Sequence, residues 1–416
     1  TNLNMDEKTL INEIKNNSKT KKFLKGKNNL TLLKRITKIS NCTNMVKIIH
    51  LARPVAGVGV YIQLLCKYLD SSNFQNEIIL NSNDENINIV NDSNEKIKEY
   101  NSKLTREISF INDLVSLYQI IKILRTQKPD ILHCHSAKSG ILGRIAGTVL
   151  RIKTIYTPHA YSYLSAESKK KKFVLKAIEI FFGFFPTYTV ACSNSEYNRT
   201  INDLKISKAK AFVWKNSIEN ISKVKKSSYL KNIPKDYVCS IGRPSFQKNT
   251  ELLVQAILEV KGKNPNIHLV ILGVGFYSPT LKKIEVFILE NNLSNNITLI
   301  PWLDRSESLS ILKNSLLYVS SSRYEGLSYA VIEALALSKP CVLTNVDGNK
   351  DIVKNNCNGF LVEQNSDELA SKISKILDNR YLRIKMGEIS RKEFENFYQI
   401  KNNIENLENL YLLFKK

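Results

Sequence analysis

From Val46 onward, short β-branched runs alternate with amphipathic helical stretches almost to the end of the chain, and this alternation constrains the fold more than any other feature. Strand-like runs stand at KIIHLA (47–52), EIILNS (77–82), DILHCH (130–135), KTIYTP (153–158), YTVACS (188–193) and AFVWKN (211–216). Helical patterns such as VYIQLLCKYL and INDLVSLYQIIKILRTQ lie between them. A second series begins at Tyr237, with YVCSIG, HLVILG, ITLIPW, LLYVSS, PCVLTN and GFLVEQ. Strands separated by helices pair in parallel, because the chain must cross over before the next strand can run the same way. Two such series predict an α/β protein of two doubly wound, Rossmann-like domains facing a cleft.

Length supports this division, since 416 residues at about 150 per domain give two or three units. The expected boundaries are a basic extension at 1–44, a first domain at 45–220, a polar linker at 221–236, a second domain at 237–395, and a C-terminal helix at 396–416 returning to the first domain. The extension carries ten Lys/Arg against three acidic residues, and is read as weakly ordered; a start near Met45 and a basic membrane-surface helix are the other readings. It shows no apolar signal-peptide stretch.

The formal charge of +23 favours anionic partners: nucleic acid, an acidic leaflet or phosphorylated substrates. A Lys-, Asn- and Ile-rich composition explains the same excess as solvated lysine. Seven scattered cysteines with no CxxC pair suggest a reducing, cytoplasmic protein. The most apolar segment, Phe173 to Cys192, carries Lys176, Glu179 and Pro186, and reads as a helix followed by a strand rather than a membrane span.

Ligands of parallel sheets bind beyond the carboxyl ends of the strands, so the loops there carry most information. Gly57 and Gly59 follow the first strand, where glycine lets helix N-terminal amides approach a phosphate, or merely permits a tight turn. His133 and His135 share a strand face. Zinc needs three or four ligands and no third stands nearby in sequence, so no metal is expected. His159 stands just past a strand end, either as a donor to a hydroxyl or phosphate or as a satisfied loop histidine. Arg243 and Lys248 lie five apart after a buried strand; a guanidinium fork and a compact cation suit a diphosphate, although solvated surface cations are the ordinary fate of such residues. Gly273 and Gly275 lack the third glycine of a dinucleotide fingerprint.

The segment SSSRYEGLSYAVIEALALSKPCVL is the most informative. Glu325 precedes Gly326, and a helix expected from near Leu327 places the amides of Gly326, Leu327 and Ser328 at its positive end. Glu333 follows Glu325 by eight residues, within an apolar pattern that calls for a partner to its charge. An ionised carboxylate only accepts hydrogen bonds, which suits vicinal hydroxyls.

Taken together, Arg243 to Lys248, EGLSYAVIEALAL, the strand Pro340 to Leu343 followed by Asp347-Gly348-Asn349, HxHSxKxGxLGRxA at 133–146 and TPHAYS resemble the GT-B glycosyltransferases of family 4. The resemblance covers about residues 46–400, and its first-domain phrases are most like enzymes of bacterial capsule, O-antigen and exopolysaccharide synthesis. It implies retaining transfer of a hexosyl or N-acetylhexosaminyl group from a nucleotide sugar, UDP before GDP, to a lipid-linked oligosaccharide, with no cofactor or metal. By position, Arg243 and Lys248 would hold the diphosphate, Glu333 the ribose, and Trp302 would lie against the base. Glu325 with the amides of Gly326, Leu327 and Ser328 would hold the sugar and β-phosphate, and Gly57 and Gly59 would close that site. His159, beside the transferred sugar, completes the catalytic pair with Glu325. The chain departs from the family at Ser217 and Pro301, where glycine is common. The lysine run Lys169 to Lys172 before FVLKAIEIFFGFF implies either peripheral contact with anionic lipid at the inner face of the plasma membrane or a core helix with solvated lysines. An epimerase of the same fold, and a basic membrane- or nucleic-acid-binding protein without activity, are the rival readings. No nucleic-acid module is present, so no nucleic-acid partner is expected.

Overall fold

The computed structural model describes residues 45–415, apart from 82–87, 106–108, 223 and 276–277. The expectation for residues 1–44 lies outside the described residues. Seven parallel strands form the first sheet, in the order β3-β2-β1-β4-β5-β6-β7. They are β1 (Val46–Leu51), β2 (Phe74–Leu80), β3 (Lys98–Asn101), β4 (Ile131–His135), β5 (Lys153–Thr157), β6 (Thr187–Ala191) and β7 (Ala211–Val213). Six parallel strands form the second, in the order β10-β9-β8-β11-β12-β13. These are β8 (Val238–Ile241), β9 (Leu269–Val274), β10 (Ile297–Pro301), β11 (Leu317–Ser320), β12 (Cys341–Thr344) and β13 (Gly359–Val362). In both sheets the order reverses beside the first strand, which opens a crevice at that point.

Twelve of these strands stand where the alternation predicts them. The addition is β3, whose sequence KEYN has no apolar signal; it is held as an edge strand by pairing Glu77–Leu80 of β2 with Lys98–Asn101. Crossover helices cover the sheets. In the first domain these are α1 (Gly57–Tyr68), α2 (Phe110–Gln127), α3 (Ala137–Leu150), α4 (Lys169–Gly183) and α5 (Asn194–Asn202). In the second they are α6 (Thr250–Lys263), α7 (Leu281–Glu290), α8 (Arg305–Asn314), α9 (Tyr329–Ala336), α10 (Asn349–Ile352), α11 (Ser366–Leu377) and α12 (Arg380–Phe397). Six cysteines of the described residues are free thiols, five of them buried.

The last helix, α13 (Ile400–Lys415), returns to the first domain as the sequence predicts. Its Leu407, Tyr411 and Phe414 enter the core beneath β1 and β4, and Phe414 stacks on Tyr188 at 4.2 Å. The Trp214 indole N–H donates to the carbonyl of Asn403 at 2.9 Å. Where the chain crosses between domains, Ile218 exchanges backbone hydrogen bonds with the 398–400 segment, so the two crossings run side by side.

The helix α4 shows how a segment as apolar as FVLKAIEIFFGFF is fastened to the first domain. Among the described residues no helix is long and apolar enough to span a bilayer. Instead α4 is pinned to α3 by a buried ion pair, Arg144 Nη2 to Glu179 Oε2 at 3.1 Å, and Glu179 also accepts from the Tyr156 hydroxyl. The Arg144 guanidinium lies over the Tyr156 and Phe182 rings. Both charges are 2% exposed, so removing one strands the other. Glu179→Leu is therefore expected to cost about 3–5 kcal/mol in urea denaturation, and adding Arg144→Met should restore most of that loss.

Candidate functional site

The site is assembled from loops that leave β8, β9 and β11 in the second domain and β1, β5 and β7 in the first. After β8, Gly242 has φ +153°, and its missing Cβ leaves room for the Lys248 stem, whose Cδ would lie 3.0 Å from it. The loop then passes Arg243 beside Gly273, which has φ +89° and no side chain to block the approach. Ser321 Oγ donates to the carbonyls of Lys248 and Asn249, and Arg323 N–H to that of Gln247, so this loop is laced to the one after β11.

That lacing brings Lys248 to Glu325. Lys248 Nζ lies 2.6 Å from Glu325 Oε1, which also accepts from Ser322 Oγ at 2.7 Å. Gln247 Nε2 approaches the other carboxylate oxygen at 3.5 Å. The acid and the cation expected to share a diphosphate sugar are thus already adjacent, with the carboxylate 7% exposed. Ser328 occupies the N-cap position of α9 without a side-chain capping bond, and the helix starts at Tyr329, two residues later than the sequence suggests. Gly326, Leu327 and Ser328 still precede its first turn, where backbone amides lack intrahelical partners.

Glu333 lies on the second turn of α9, partly buried with its side chain 13% exposed, and its Oε1 accepts from Arg305 Nε at 2.8 Å. Sequence reasoning missed Arg305, which opens α8 in the loop after Trp302; a partner contributed from another element leaves no mark in spacing. Trp302 is 72% exposed.

The first domain meets this surface closely. A Cβ on Gly326 would sit 2.9 Å from Ala160 N and 3.1 Å from His159 C, so only glycine fits there. A Cβ on Gly57, the first residue of α1, would lie 3.6 Å from the Tyr329 ring across the cleft. The turn before α1 places its positive φ at Ala56 (51°), not at Gly57 or Gly59. Asn216 Nδ2 donates to the Leu327 carbonyl at 2.7 Å. Ser195 N–H donates to Asp351, and Arg199 pairs with Asp347. Asn216, Ser195, Arg199, Asp347 and Asp351 were not read from the sequence as cleft residues, although Asp347 lies in a segment that carries the resemblance.

His159 is brought to the cleft by its backbone, while its ring turns inward. Nε2 lies 3.1 Å from His135 Nδ1, and Nδ1 lies 3.6 Å from Cys192 Sγ. The third histidine that local sequence lacked comes from β1: His50 is paired in register with His133 across β1 and β4. Ligating atoms of His50, His133 and His135 all lie within 4.8 Å of one another. Each ring nitrogen already has a partner, including Tyr411 and Thr157 for His133, so a metal ion would have to displace these bonds. Burial lowers the His50 pKa to about 4 and that of His159 to about 3, and holds His133 and His135 well below the ordinary range.

Burial outweighs Arg305 at Glu333 and raises its pKa from the ordinary carboxylate value. The stability this group contributes is therefore fully present below the unfolded-chain value of about 4.3 and lost as pH rises through the raised folded value. Urea denaturation of Glu333→Gln across that interval is expected to lack this loss.

Comparison with known proteins adds family information to this geometry. Residues 55–220 match the model of Glycosyltransferase Family 4, and residues 222–393 match that of Glycosyl transferases group 1. The chain is 30% identical over 328 residues to the Escherichia coli UDP-Gal:alpha-D-GlcNAc-diphosphoundecaprenol alpha-1,3-galactosyltransferase, covering 74% of this chain and 82% of that one. It is 28% identical over 350 residues to the capsular polysaccharide biosynthesis glycosyltransferase CapM of Staphylococcus aureus, covering 79% and 90%. In fold it is similar to HepE of Anabaena, solved with UDP and glucose, at a TM-score of 0.73 and 16% identity over 88% of this chain and 99% of that one.

Proposed function

This chain belongs to glycosyltransferase family 4, with the GT-B fold, and from that premise we propose that it moves a hexosyl or N-acetylhexosaminyl group from a UDP-sugar to a lipid-linked oligosaccharide in cell-surface polysaccharide synthesis. The observation that carries this reading is the convergence of Lys248, Glu325 and the amides before α9 upon one point of the cleft, opposite the N-terminus of α1. Two helix N-termini and two cations, Arg243 and Lys248, supply the positive potential a nucleoside diphosphate needs as it leaves. With that charge in place, no metal is needed to neutralise the departing phosphate.

Glu333 accepts the ribose hydroxyls once Arg305 gives way, and Glu325 accepts from the sugar. In the retaining step the C1–oxygen bond to the β-phosphate breaks, and C1 bonds to the acceptor oxygen from the same face. The acceptor proton passes to the departing phosphate. Trapping a covalent glycosyl-enzyme would overturn this route.

The acceptor side lies on α2 and α4, which share a core layer with α3. Phe110, Ile111, Leu114 and Tyr118 on α2 are exposed, as are Phe173, Val174 and Phe181 on α4 and Phe184 just after it. Beside them the four lysines Lys169 to Lys172 are solvated. An apolar face flanked by lysine suits the anionic inner leaflet, where a lipid-linked acceptor is presented.

Thermal unfolding tests the donor assignment. UDP at about 100 times its dissociation constant should add about 2.7 kcal/mol of stability without metal and in the presence of EDTA. GDP and ADP should add less, and Arg243→Ala and Glu333→Ala should abolish the shift. Equal or absent shifts with all three nucleotides would overturn it. Co-sedimentation tests the membrane face: binding to anionic vesicles at low salt, lost in a Lys169–Lys172 to glutamine variant, is expected, and no binding would remove it.

A further inference from the structure

Four of the five histidines of the chain lie together, His50, His133 and His135 buried and His159 half-buried beside them, and the transfer reaction leaves the group without a role. Three of them form a line that ends at the cleft. Asn76 Oδ1 lies 3.2 Å from His50 Nε2, His50 Nδ1 lies 3.2 Å from His135 Nε2, and His135 Nδ1 lies 3.1 Å from His159 Nε2. The line closes at Cys192 Sγ, 3.6 Å from His159 Nδ1.

The direction of every bond follows from its first member. A carboxamide oxygen only accepts, so the His50 proton must sit on Nε2. His50 Nδ1 is then an acceptor, and His135 must carry its proton on Nε2. His135 Nδ1 accepts in turn, so His159 also carries its proton on Nε2, which leaves His159 Nδ1 as an acceptor facing the Cys192 sulfur, whose thiol also meets the Glu196 carboxylate. Burial keeps these rings uncharged and raises the thiol pKa well above its ordinary value, so the thiol retains its proton.

We infer that Asn76, His50 and His135 are positioning residues: a one-way hydrogen-bond chain that locks His159 as its neutral Nε2–H tautomer with the ring turned inward, and thereby holds the His159–Ala160 turn against Gly326. The turn needs such an anchor. His159 and Ala160 have φ of 55° and 77°, two consecutive left-handed positions of a kind uncommon outside glycine. Glu196 grips the turn from the other side, accepting from Ala160 N–H at 2.7 Å and from Cys192 N–H at 2.7 Å. Tyr61 stands edge-on to the His159 ring at 4.6 Å. Both nitrogens of the ring face protein groups rather than the cleft, so the first domain offers the donor its backbone at this point. The effect on transfer rests on the donor site proposed above, whereas the tautomers do not.

The test is long-range proton–nitrogen NMR of the full chain labelled with nitrogen-15 in histidine, near neutral pH, assigned by single His→Gln variants. His268 serves as an internal reference of opposite kind, because its Nδ1 faces the Asn295 carbonyl and must carry the proton. The expected spectrum shows His50, His135 and His159 as neutral Nε2–H tautomers. In assay, His50→Phe, which removes both bonds two rings away from the cleft, should lower kcat about tenfold or more while the donor KM changes little. His50→Gln can still accept from His135 and donate to Asn76, so it should retain most of the activity. A His159 found charged or as the Nδ1–H tautomer would overturn the inference, as would a His50→Phe enzyme with unchanged His159 signals and rate. Stoichiometric zinc binding that shifts His50, His133 and His135 together would assign the cluster to a metal instead. Loss of UDP binding with the tautomers intact would instead refute the donor site alone.

Discussion

A parallel strand can be followed by its neighbour only after the chain has crossed back, and that requirement delivers the carboxyl end of every strand in a sheet to one edge. Nearly every residue of the site is placed by it. Gly57 follows β1, His135 ends β4, His159 follows β5, Cys192 follows β6 and Asn216 follows β7. In the second domain Arg243 follows β8, Trp302 follows β10, Glu325 follows β11 and Asp347 follows β12. When two such edges face each other, residues more than a hundred positions apart come into van der Waals contact, as Gly326 does with His159 and Ala160. The chemistry of the cleft is thus a consequence of strand direction before it is a consequence of any one side chain.

Much of this was legible because the signals are local. Strand runs are contiguous, and the anion loop before α9 lies within a few residues of its two glutamates. Lys248 and Glu325 could be nominated separately by type and spacing. What stayed hidden was pairing. Arg305 on Glu333, His50 beside His135 and Arg199 on Asp347 join elements distant in sequence, and one chain read alone carries no record of such contacts. β3 was hidden for a different reason: an edge strand of four residues needs no apolar face. His159 shows the limit most clearly. Its position after a strand end was readable, but the direction of its ring depends on three residues from three other strands: His135 on β4, His50 on β1 and Asn76 on β2.

The two carboxylates proposed to hold donor hydroxyls are both occupied by cations from their own domain. This is how a buried acid is tolerated before its ligand arrives, because an unpaired charge in such a site is costly. The arrangement also separates the two acids. Lys248 would remain beside a diphosphate, since its charge suits both partners. Arg305 must yield the Glu333 oxygen for a ribose to take it.

The C-terminal helix has a consequence for the order in which the protein can be made. The hydroxyl of Tyr411 meets His133 across 278 positions of chain, and Leu407 and Phe414 complete the same apolar layer beneath β1 and β4. During synthesis the first domain emerges first, yet its core waits for the last helix. Until the ribosome has finished the whole second domain, the underside of the first sheet lacks its cover and one histidine lacks a hydrogen-bond partner. Contacts of such sequence separation are slow to form and leave apolar surface exposed meanwhile. The nascent chain is therefore vulnerable to aggregation until α13 has emerged, and the docking of that helix is the event that seals both the first domain and the histidine core.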